Sequence, residues 1–354
     1  MHISTKLPFP HLWFKHWDRA GRNVGVLVVK GSFHIDEGVR SQRFLEQQPD
    51  LLTTDLHQGE PNLSPVRQES DLAPFKPRTD LTFEAVARSP EAKELERWPV
   101  KIDVAGRLSY GFDVFGARLW EPTRAATGRK WVLSSTKPVS AVPLTYAFAF
   151  GGTVPTGEDD AVETHDQNPL GRGLLNDHLL SRDEAIPVPQ IGLLGELGAP
   201  RPDKQLTVCG LGPIAKSWLP RLSLAGTFDD AWLRERHPRM PDDFDDAYWN
   251  GAPLPLQAAP YLRGDEAITL TGVRHDARPY SFLLPGALLS CRVTRGGTED
   301  VQDIGLNLDT VHCKMAGDEA GDQSLSMVWR VVLPDPDTIE AVELAAHRLE
   351  EAPS

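Results

Sequence analysis

One stretch of the chain, residues 211–265, limits the possible folds most strongly because aromatic residues and prolines are interleaved along it. It contains Trp218, Trp232 and Trp249 together with seven prolines. Proline fixes φ, removes a backbone donor and pushes the residue before it toward extended geometry. The stretch therefore suits neither an amphipathic helix nor a strand ladder. We predict irregular backbone, with one helical turn, held rigid because its buried rings offset the ordering entropy.

Charge and composition exclude several classes of protein. The 354 residues carry a formal net charge of −13 with a pI near 5.3, which argues against nucleic acid or an anionic membrane as partner. No apolar run is long enough to cross a bilayer, and the N-terminus lacks the pattern of a secretory signal. Cys209, Cys291 and Cys313 have no CxxC spacing, so we expect reduced, buried thiols. A cytoplasmic protein is predicted.

The remainder of the sequence predicts a mainly β protein. Residues 24–33 are rich in valine, and Val100, Ile102 and Val104 alternate as on one face of a strand. We expect an N-terminal β lobe (1–155), a loop-rich central region (156–265) and a C-terminal β lobe (266–354), which could also form one compact unit. The lobes are expected to be sandwich- or barrel-like, closely packed and wrapped by long ordered loops.

The C-terminal segment predicts a short amphipathic helix. Asp337 is placed to cap it, and Ile339, Val342, Ala346 and Leu349 fall on one face at helical spacing.

No catalytic or metal-binding pattern emerges. Asp242, Asp243, Asp245 and Asp246 lack the spacing of a calcium loop, so we expect them to cap helices or pair with neighbouring arginines. The histidines have no zinc spacing, His57 near Asp55 is an isolated pair, and no G-x-S-x-G, P-loop or dinucleotide motif occurs. We therefore predict no catalytic residue, metal or cofactor. A hydrolase that uses Asp and His residues of the central loops stays open as the alternative.

Seven sequence blocks occur in an order that resembles a known bacterial family. They are DLAPFKPRTD (71–80), TYAFAFGGT (145–153), NPLGRG (168–173), GLGPIAKSWLPR (210–221), TFDDAWLRERHPRMPDDFDDAYWNGAP (227–253), PYLRGDE (260–266) and LDTV with WR (308–311, 329–330). The family was formerly catalogued only as a domain of unknown function and is now described as type VI secretion accessory proteins. Lys216 and Phe228 depart from the residues expected there, arginine and tyrosine.

The resemblance implies an effector adaptor or chaperone. Such a protein would hold a toxic effector, often through a PAAR-like region, and help load it onto the secretion spike protein; a structural part of the spike itself is a third possibility. Aromatic residues and arginines are the residues enriched at interface hot spots. The predicted partner-binding residues are Lys76, Arg78, Trp218, Arg221, Trp232, Arg234, Arg236, Tyr248 and Trp249.

Overall fold

Strands dominate the computed structural model, which describes residues 1–347 except 42, 127, 297, 300–302 and 316–322. The first strands are β1 (His2–Thr5), β2 (His11–Trp17), β3 (Asn23–His34), β4 (Leu56–His57), β5 (Val66–Gln68), β6 (Thr79–Glu84), β7 (Val86–Arg88), β8 (Arg97–Val104), β9 (Leu108–Phe115), β10 (Leu119–Ala125), β11 (Gly128–Leu133), β12 (Ala141–Pro143), β13 (Phe150–Gly151), β14 (Thr153–Pro155), β15 (Val162–Thr164) and β16 (Arg172–Gly173). Two short α-helices among the described residues are α1 (Asp177–Arg182) and α2 (Asp230–Glu235).

The later strands complete three larger sheets. They are β17 (Ile186–Pro187), β18 (Ile191–Leu193), β19 (Gln257–Ala258), β20 (Ala267–Thr271), β21 (Tyr280–Leu283), β22 (Leu288–Arg295), β23 (Thr298–Glu299), β24 (Ile304–Gly305), β25 (Asn307–Lys314), β26 (Ser324–Pro334) and β27 (Ile339–His347). The sheet orders are β19-β6-β25-β26-β3-β2, β18-β9-β8-β20-β21, and β1-β27-β22-β23 with β24 also on β22. Each of these sheets is open, and the mainly β prediction is confirmed.

The six-stranded sheet has two faces of different chemistry, because successive side chains of a strand point to opposite sides. Paired residues of β3, β26, β25 and β6 line up in cross-strand rows that alternate between the faces. One such row is apolar and the next is polar: Phe33, Leu325, Cys313 and Phe83, then Ser32, Ser326, His312 and Thr82. We call the face with the apolar row the inner face and the other the outer face.

The inner face belongs to the main hydrophobic core. That core also contains residues of the five-stranded sheet, among them Val100, Ile102 and Val104, which are fully buried as their alternation predicts. The third sheet contributes Val293 and Val342. Strands from the 1–155 and 266–354 ranges pair directly, β3 with β26 and β6 with β25, so the two predicted lobes share a sheet. The three cysteines are free and buried, and burial raises the pKa of Cys209 to about 12.

The predicted C-terminal helix is wrong. Residues Ile339–His347 form strand β27, which pairs in parallel with β1 and antiparallel with β22. Ile339, Val342 and Leu344 are buried there. The spacing of apolar residues in this segment is compatible with both a helix and a strand. The segment forms a strand because neighbouring strands on both sides supply hydrogen-bond partners for its backbone. The capping signal corresponds only to a 3₁₀ turn, Pro336–Thr338, and Leu349 lies outside the described residues.

The central stretch, residues 211–265, is irregular as predicted. Its regular elements are α2, strand β19 and three 3₁₀ turns, at Arg221–Leu224, Asp246–Trp249 and Leu254–Leu256. Together with residues 48–76 it lies over the outer face of the six-stranded sheet, to which both segments are bonded.

Candidate partner-binding surface

Five ion pairs lie on the outer face and in the loops that cover it: two join the sheet to a loop, one joins two strands of the sheet, and two join loop residues to each other. Eight of the ten side chains in these pairs are at most 11% exposed. We call them the ion-pair layer: Lys30–Asp71 (3.0 Å), Lys76–Asp80 (2.8 Å), Arg330–Asp309 (2.6 Å), Arg221–Glu69 (2.5 Å) and Lys216–Asp55 (3.0 Å). Removing one partner of such a pair leaves a buried charge without compensation, which is strongly destabilising.

Asp80 connects the sheet to the central stretch. Besides the Lys76 ammonium, its carboxylate accepts hydrogen bonds from Asn250 Nδ2 and the Gly251 N–H, each at 2.9 Å. A Cβ on Gly251 would lie 1.9 Å from Oε2 of Glu69. Glycine is therefore required for the backbone to approach both carboxylates closely.

Arg221 fixes the turn that carries Tyr248. Its Nε donates to the Tyr248 carbonyl at 2.8 Å, and Nη1 donates to Ile214 O at 2.6 Å and to Glu69. Burial lowers the pKa of Arg221, but the negative charges of Glu69 and Asp80 outweigh this and raise it. The guanidinium thus stays charged and holds three separate segments of the chain together.

Two cavities lie next to each other on this surface and share a wall. The Tyr248 pocket has a volume of about 370 Å³ and is lined by Leu72, Ala73, Phe228 and Tyr248 beside the layer's Glu69, Lys76, Lys216 and Arg221. The Trp17 pocket, of about 380 Å³, is lined by apolar Trp17, Val24, Pro74 and Phe75 and by charged Asp18, Arg19, Arg22 and Asp246, among others. Met240, Phe244 and Trp249 line both.

Packed rings make the shared wall rigid. Phe244 is buried, and its ring centroid lies 5.6 Å from that of Tyr248 and 5.9 Å from that of Trp249. The rings of Tyr248 and Trp249 meet edge to face at 5.5 Å. Burial raises the pKa of Tyr248. Asp245 caps the turn that carries both residues through the Ala247 N–H, at 2.8 Å.

Large apolar side chains remain exposed around the two pockets. Trp17 is 44% exposed, Phe75 36% and Phe228 54%. Each lines one of the pockets, so the exposed rings and the apolar walls form a continuous surface. Contiguous exposed apolar surface with a polar surround is typical of an interaction site.

Helix α2 is held to the rim by contacts within the central stretch. Asp229 caps it by accepting from Trp232 N at 2.8 Å, and Trp232 Nε1 donates to Arg239 O at 2.8 Å. The Trp232 ring also packs against Phe228, with centroids 4.7 Å apart. Arg236 donates to Met240 O at 3.1 Å and pairs with Asp242. These contacts place Phe228 and Met240 at the Tyr248 pocket.

The predicted partner-binding residues occupy three depths. Arg234 is exposed, whereas Arg78, Trp232, Arg236, Tyr248 and Trp249 are half-buried and Lys76, Trp218 and Arg221 are buried. Of these nine, Lys76, Arg221, Tyr248 and Trp249 line the pockets. The ring of Trp218 packs edge to face on Tyr146 at 5.6 Å, away from solvent. The Arg78 guanidinium donates to Oε1 of Gln257 at 3.4 Å.

Sequence reasoning missed the contribution of the N-terminal hairpin. Trp17 ends β2 and Asp18 follows it, both on one side of the Trp17 pocket, and Phe75 and Met240 complete the apolar walls. The aromatic cluster at the start of the chain was the available signal. It could not reveal that β2 becomes the edge strand beside the central stretch.

The acidic residues of the central stretch stabilise local structure. Asp229 and Asp245 cap helical turns, Asp243 accepts from Thr227 N and Oγ1, and Asp242 pairs with Arg236. Capping is as expected for Asp245 and pairing with an arginine as expected for Asp242, whereas Asp243 bonds to Thr227 instead and Asp246 takes neither role among the described residues. Asp55 bonds to Lys216 and Ser70, whereas the His57 ring meets Ser64 O. No group of metal-ligating side chains is found within the described part of the chain.

Comparison with known proteins adds one match. A family model described as uncharacterized protein conserved in bacteria, DUF2169, matches residues 20–330. The chain belongs to the DUF2169 family. The matched range includes every member of the ion-pair layer and all of the central stretch, but begins after Trp17. No curated protein and no solved structure matches this DUF2169 chain. Within the described residues, none of its helices has the length and apolarity needed to span a membrane.

Proposed function

We propose that this DUF2169 protein is a non-enzymatic adaptor or chaperone that acts in the cytoplasm. It binds a type VI secretion effector through a PAAR-like region of that effector and helps load the effector onto the spike protein. The observation that carries the proposal is the pair of adjacent apolar pockets with exposed rings at their rim, supported by the ion-pair layer. Rigid aromatic anchors in pockets are the usual energetic centre of a protein interface.

The polar chemistry near the pockets favours binding over hydrolysis. Asp229 and Asp245 cap helical turns, Asp242 pairs with Arg236 and Asp243 accepts from Thr227, while Asp55 and His57 each bond to other groups. General acid–base catalysis requires a base within reach of the reacting proton. The ring-lined walls instead suit the side chains of a protein partner.

The test is capture of the partner from the protein's own cells. The tagged protein, its Phe228→Ser variant and a Leu254→Ser control are recovered and analysed by mass spectrometry. Leu254 is 67% exposed and lines neither pocket. Leu254→Ser therefore replaces an exposed apolar side chain with serine, as Phe228→Ser does, but outside the pockets. We expect wild type and the control to recover a toxin-like protein with a spike protein, and Phe228→Ser to lose both.

Two outcomes contradict the proposal. One is recovery of neither protein from cells shown to express both. The other is equal recovery by the Phe228 and Leu254 variants, which would move the binding surface away from the pockets.

A further inference from the structure

Strand β2 is an edge of the six-stranded sheet, and its pairing with β3 shows which of its backbone groups point outward. Just before β2, Lys30 N donates to Pro10 O at 3.0 Å, and just after it, Asp18 N donates to Arg22 O at 2.9 Å. Bonded and non-bonded pairs alternate in an antiparallel ladder, so the β2 residues bonded to β3 are Leu12, Phe14 and His16. The N–H and C=O groups of the other four point away from the sheet. We call these the outward-facing residues: His11, Trp13, Lys15 and Trp17.

Within the described part of the chain, no other segment bonds to these outward backbone groups. The protein does cover neighbouring edges. Beyond the start of β2, the same side of β3 is covered by a loop, in which Leu45 N donates to Ser32 O at 3.1 Å. Edge strand β21 of the five-stranded sheet is also covered, since Ser41 N donates to Leu283 O at 3.0 Å. The seven residues of β2 are left open.

Strand β2 lacks the usual protection of an edge. Natural edge strands are short or carry charges or proline, as in four-residue β1 and in β11, where an arginine and a lysine are adjacent. In contrast, β2 contains large apolar side chains and no proline, and the charge of its lysine, Lys15, is paired with Asp337. Trp13 and Phe14 are only half-buried. A long, apolar, open edge is suited to pairing with another chain.

The side chains of β2 indicate what fits beside it. The Trp13 ring lies across Gly25 of β3, where an added Cβ would come within 2.0 Å of it. On the other face Phe14 packs against Val26 and Val28. A strand beside β2 would place alternate side chains against these two rings, one on each face. Aromatic and β-branched residues pair favourably across strands, so the edge suits an extended, uncharged segment rich in valine, isoleucine or threonine.

We propose that an extended segment of the partner protein adds to the sheet as a strand beside β2. This deepens the proposed function and rests on it for the identity of the partner, an effector. Main-chain hydrogen bonds supply affinity, and the side chains beside Trp13 and Phe14 supply specificity. β2 ends at Trp17, which lines the Trp17 pocket, so the added strand adjoins the surface already proposed for the partner. A second copy of this chain is a poorer occupant because each copy carries a net charge of −13.

Proline at an outward-facing position tests the main-chain contacts. Lys15→Pro removes one outward N–H and leaves the bonded pairs with β3 intact, whereas Lys15→Ala removes the same side chain and keeps the N–H. Capture of the effector from the protein's own cells is compared. We expect Lys15→Ala to capture it as wild type does and Lys15→Pro to capture about tenfold less, since an N–H is lost and the proline ring obstructs the added strand. Thermal unfolding checks that both variants fold.

Amide exchange in the wild-type protein, followed by NMR, gives a second test that needs no variant. In the free protein we expect slow exchange at Leu12, Phe14 and His16 and fast exchange at the outward-facing residues. The probe is a soluble peptide of alternating valine and threonine with a lysine at each end. Its control has two adjacent central prolines, which remove a donor from each edge of the peptide. The probe should shift and slow the outward-facing amides, and the control should bind about tenfold more weakly.

Three results would each overturn the inference. They are equal capture by Lys15→Pro and Lys15→Ala, outward-facing amides that the probe leaves unchanged, and a wild-type dimer in analytical ultracentrifugation that Lys15→Pro abolishes, which would make a second copy the occupant. If Lys15→Pro does not fold, the probe titration decides. That titration contains no effector, so the two failures are distinguishable. Binding of the probe without capture of an effector refutes the proposed function alone, whereas undiminished capture by folded Lys15→Pro refutes only the role of β2.

Discussion

The inner and outer faces of the six-stranded sheet are stabilised by different physics. On the inner face Leu27, Val29 and Phe33 enter the main apolar core. On the outer face Lys30 of the same strand pairs with Asp71 of the covering loop, and both side chains are at most 5% exposed. Apolar burial is non-directional, whereas a buried ion pair requires a specific geometry. When that geometry is lost, the attraction between the charges no longer offsets the cost of removing them from water.

The difference indicates what each face does for the protein. The inner face supplies stability that tolerates exchange of one apolar residue for another of similar volume. Asp80 on the outer face and Arg221 within the central stretch each bond to several segments, and together they fix where the central stretch lies. Our hypothesis is that the ion-pair layer sets the shape of the two pockets, while the core determines whether the chain folds.

The largest expected effect comes from comparing one substitution on each face of strand β3. Lys30→Met should lower the free energy of unfolding by about 3–5 kcal/mol, because it leaves the Asp71 carboxylate buried without its cation. Leu27→Met, on the inner face of the same strand, should cost less than about 1.5 kcal/mol because volume and polarity are conserved. Urea unfolding of the two variants measures the difference.

A double variant separates loss of the charge pair from loss of packing. Lys30→Met with Asp71→Asn should recover most of the lost free energy, because asparagine can still accept from Leu52 N, which lies 2.8 Å from Asp71 Oδ2. Equal costs for Lys30→Met alone and for the double variant would refute an electrostatic origin.

The next prediction tests whether a change in the ion-pair layer alters the pockets. Gly251→Ala should cost about 2 kcal/mol, because its Cβ would overlap the Glu69 carboxylate and displace it from Arg221. Gly305→Ala is the control: no atom lies within 4 Å of its added Cβ, so we expect a change within about 0.5 kcal/mol. Thermal unfolding reports both, and a shifted Trp249 indole signal in Gly251→Ala alone would connect the layer to the shared wall.

Strand patterns of the sheet were predictable because alternation depends only on local periodicity. Val100, Ile102 and Val104 are buried as expected, and the irregular backbone of the central stretch follows from its prolines. The C-terminal segment was mispredicted because its strand depends on β1 and β22, neither of which is adjacent to it in sequence.

The site was predictable only in part. Tyr248 and Trp249 were selected for the density of aromatic residues around them, and both line pockets. The same criterion selected Trp218, whose ring packs inside. The charges of Lys76 and Arg221, which were also predicted to bind a partner, are satisfied by Asp80 and Glu69. Sequence gives the residue type but not the ion pair that fixes it, since Arg221 lies close to Trp218 in the chain whereas its partner Glu69 is 152 residues away.

A smaller effect is expected at Trp232, on the rim. Trp232→Ala should lower the free energy of unfolding by only about 1 kcal/mol, because the half-buried ring loses its contact with Phe228 and its hydrogen bond to Arg239 O. Partner capture should fall much more, since Phe228 loses its support. The double variant Trp232→Ala with Arg234→Ala tests two of the predicted partner-binding residues together. Complete loss of its thermal transition would mean that Trp232 is a core residue.

The smallest effect concerns Asp55, the most exposed carboxylate of the ion-pair layer. Burial raises the pKa of Asp55, but hydrogen bonds from Ser70 N and Lys216, with the charge of Arg221 nearby, outweigh it and hold the pKa below 3.8. A depressed folded-state pKa stabilises the protein above the unfolded value, and this contribution is lost as the pH falls through the folded pKa. Asp55→Asn should therefore cost less than about 1 kcal/mol at pH 7, since solvent screens the half-exposed pair.

The pH dependence distinguishes this carboxylate from the fully buried pairs. Urea unfolding of wild type and Asp55→Asn is compared from pH 7 to below pH 3.8, and the two curves should converge at the acid end, because protonation removes in wild type the charge that the variant already lacks. Lys216→Met is the matched control, since it removes the same ion pair from the other side and should give a similar narrowing. If the difference in free energy of unfolding between wild type and Asp55→Asn stays constant with pH, the hydrogen bonds of Asp55 stabilise the loop independently of its charge. The Lys216–Asp55 pair would then act as a neutral hydrogen-bonded contact and not as an ion pair.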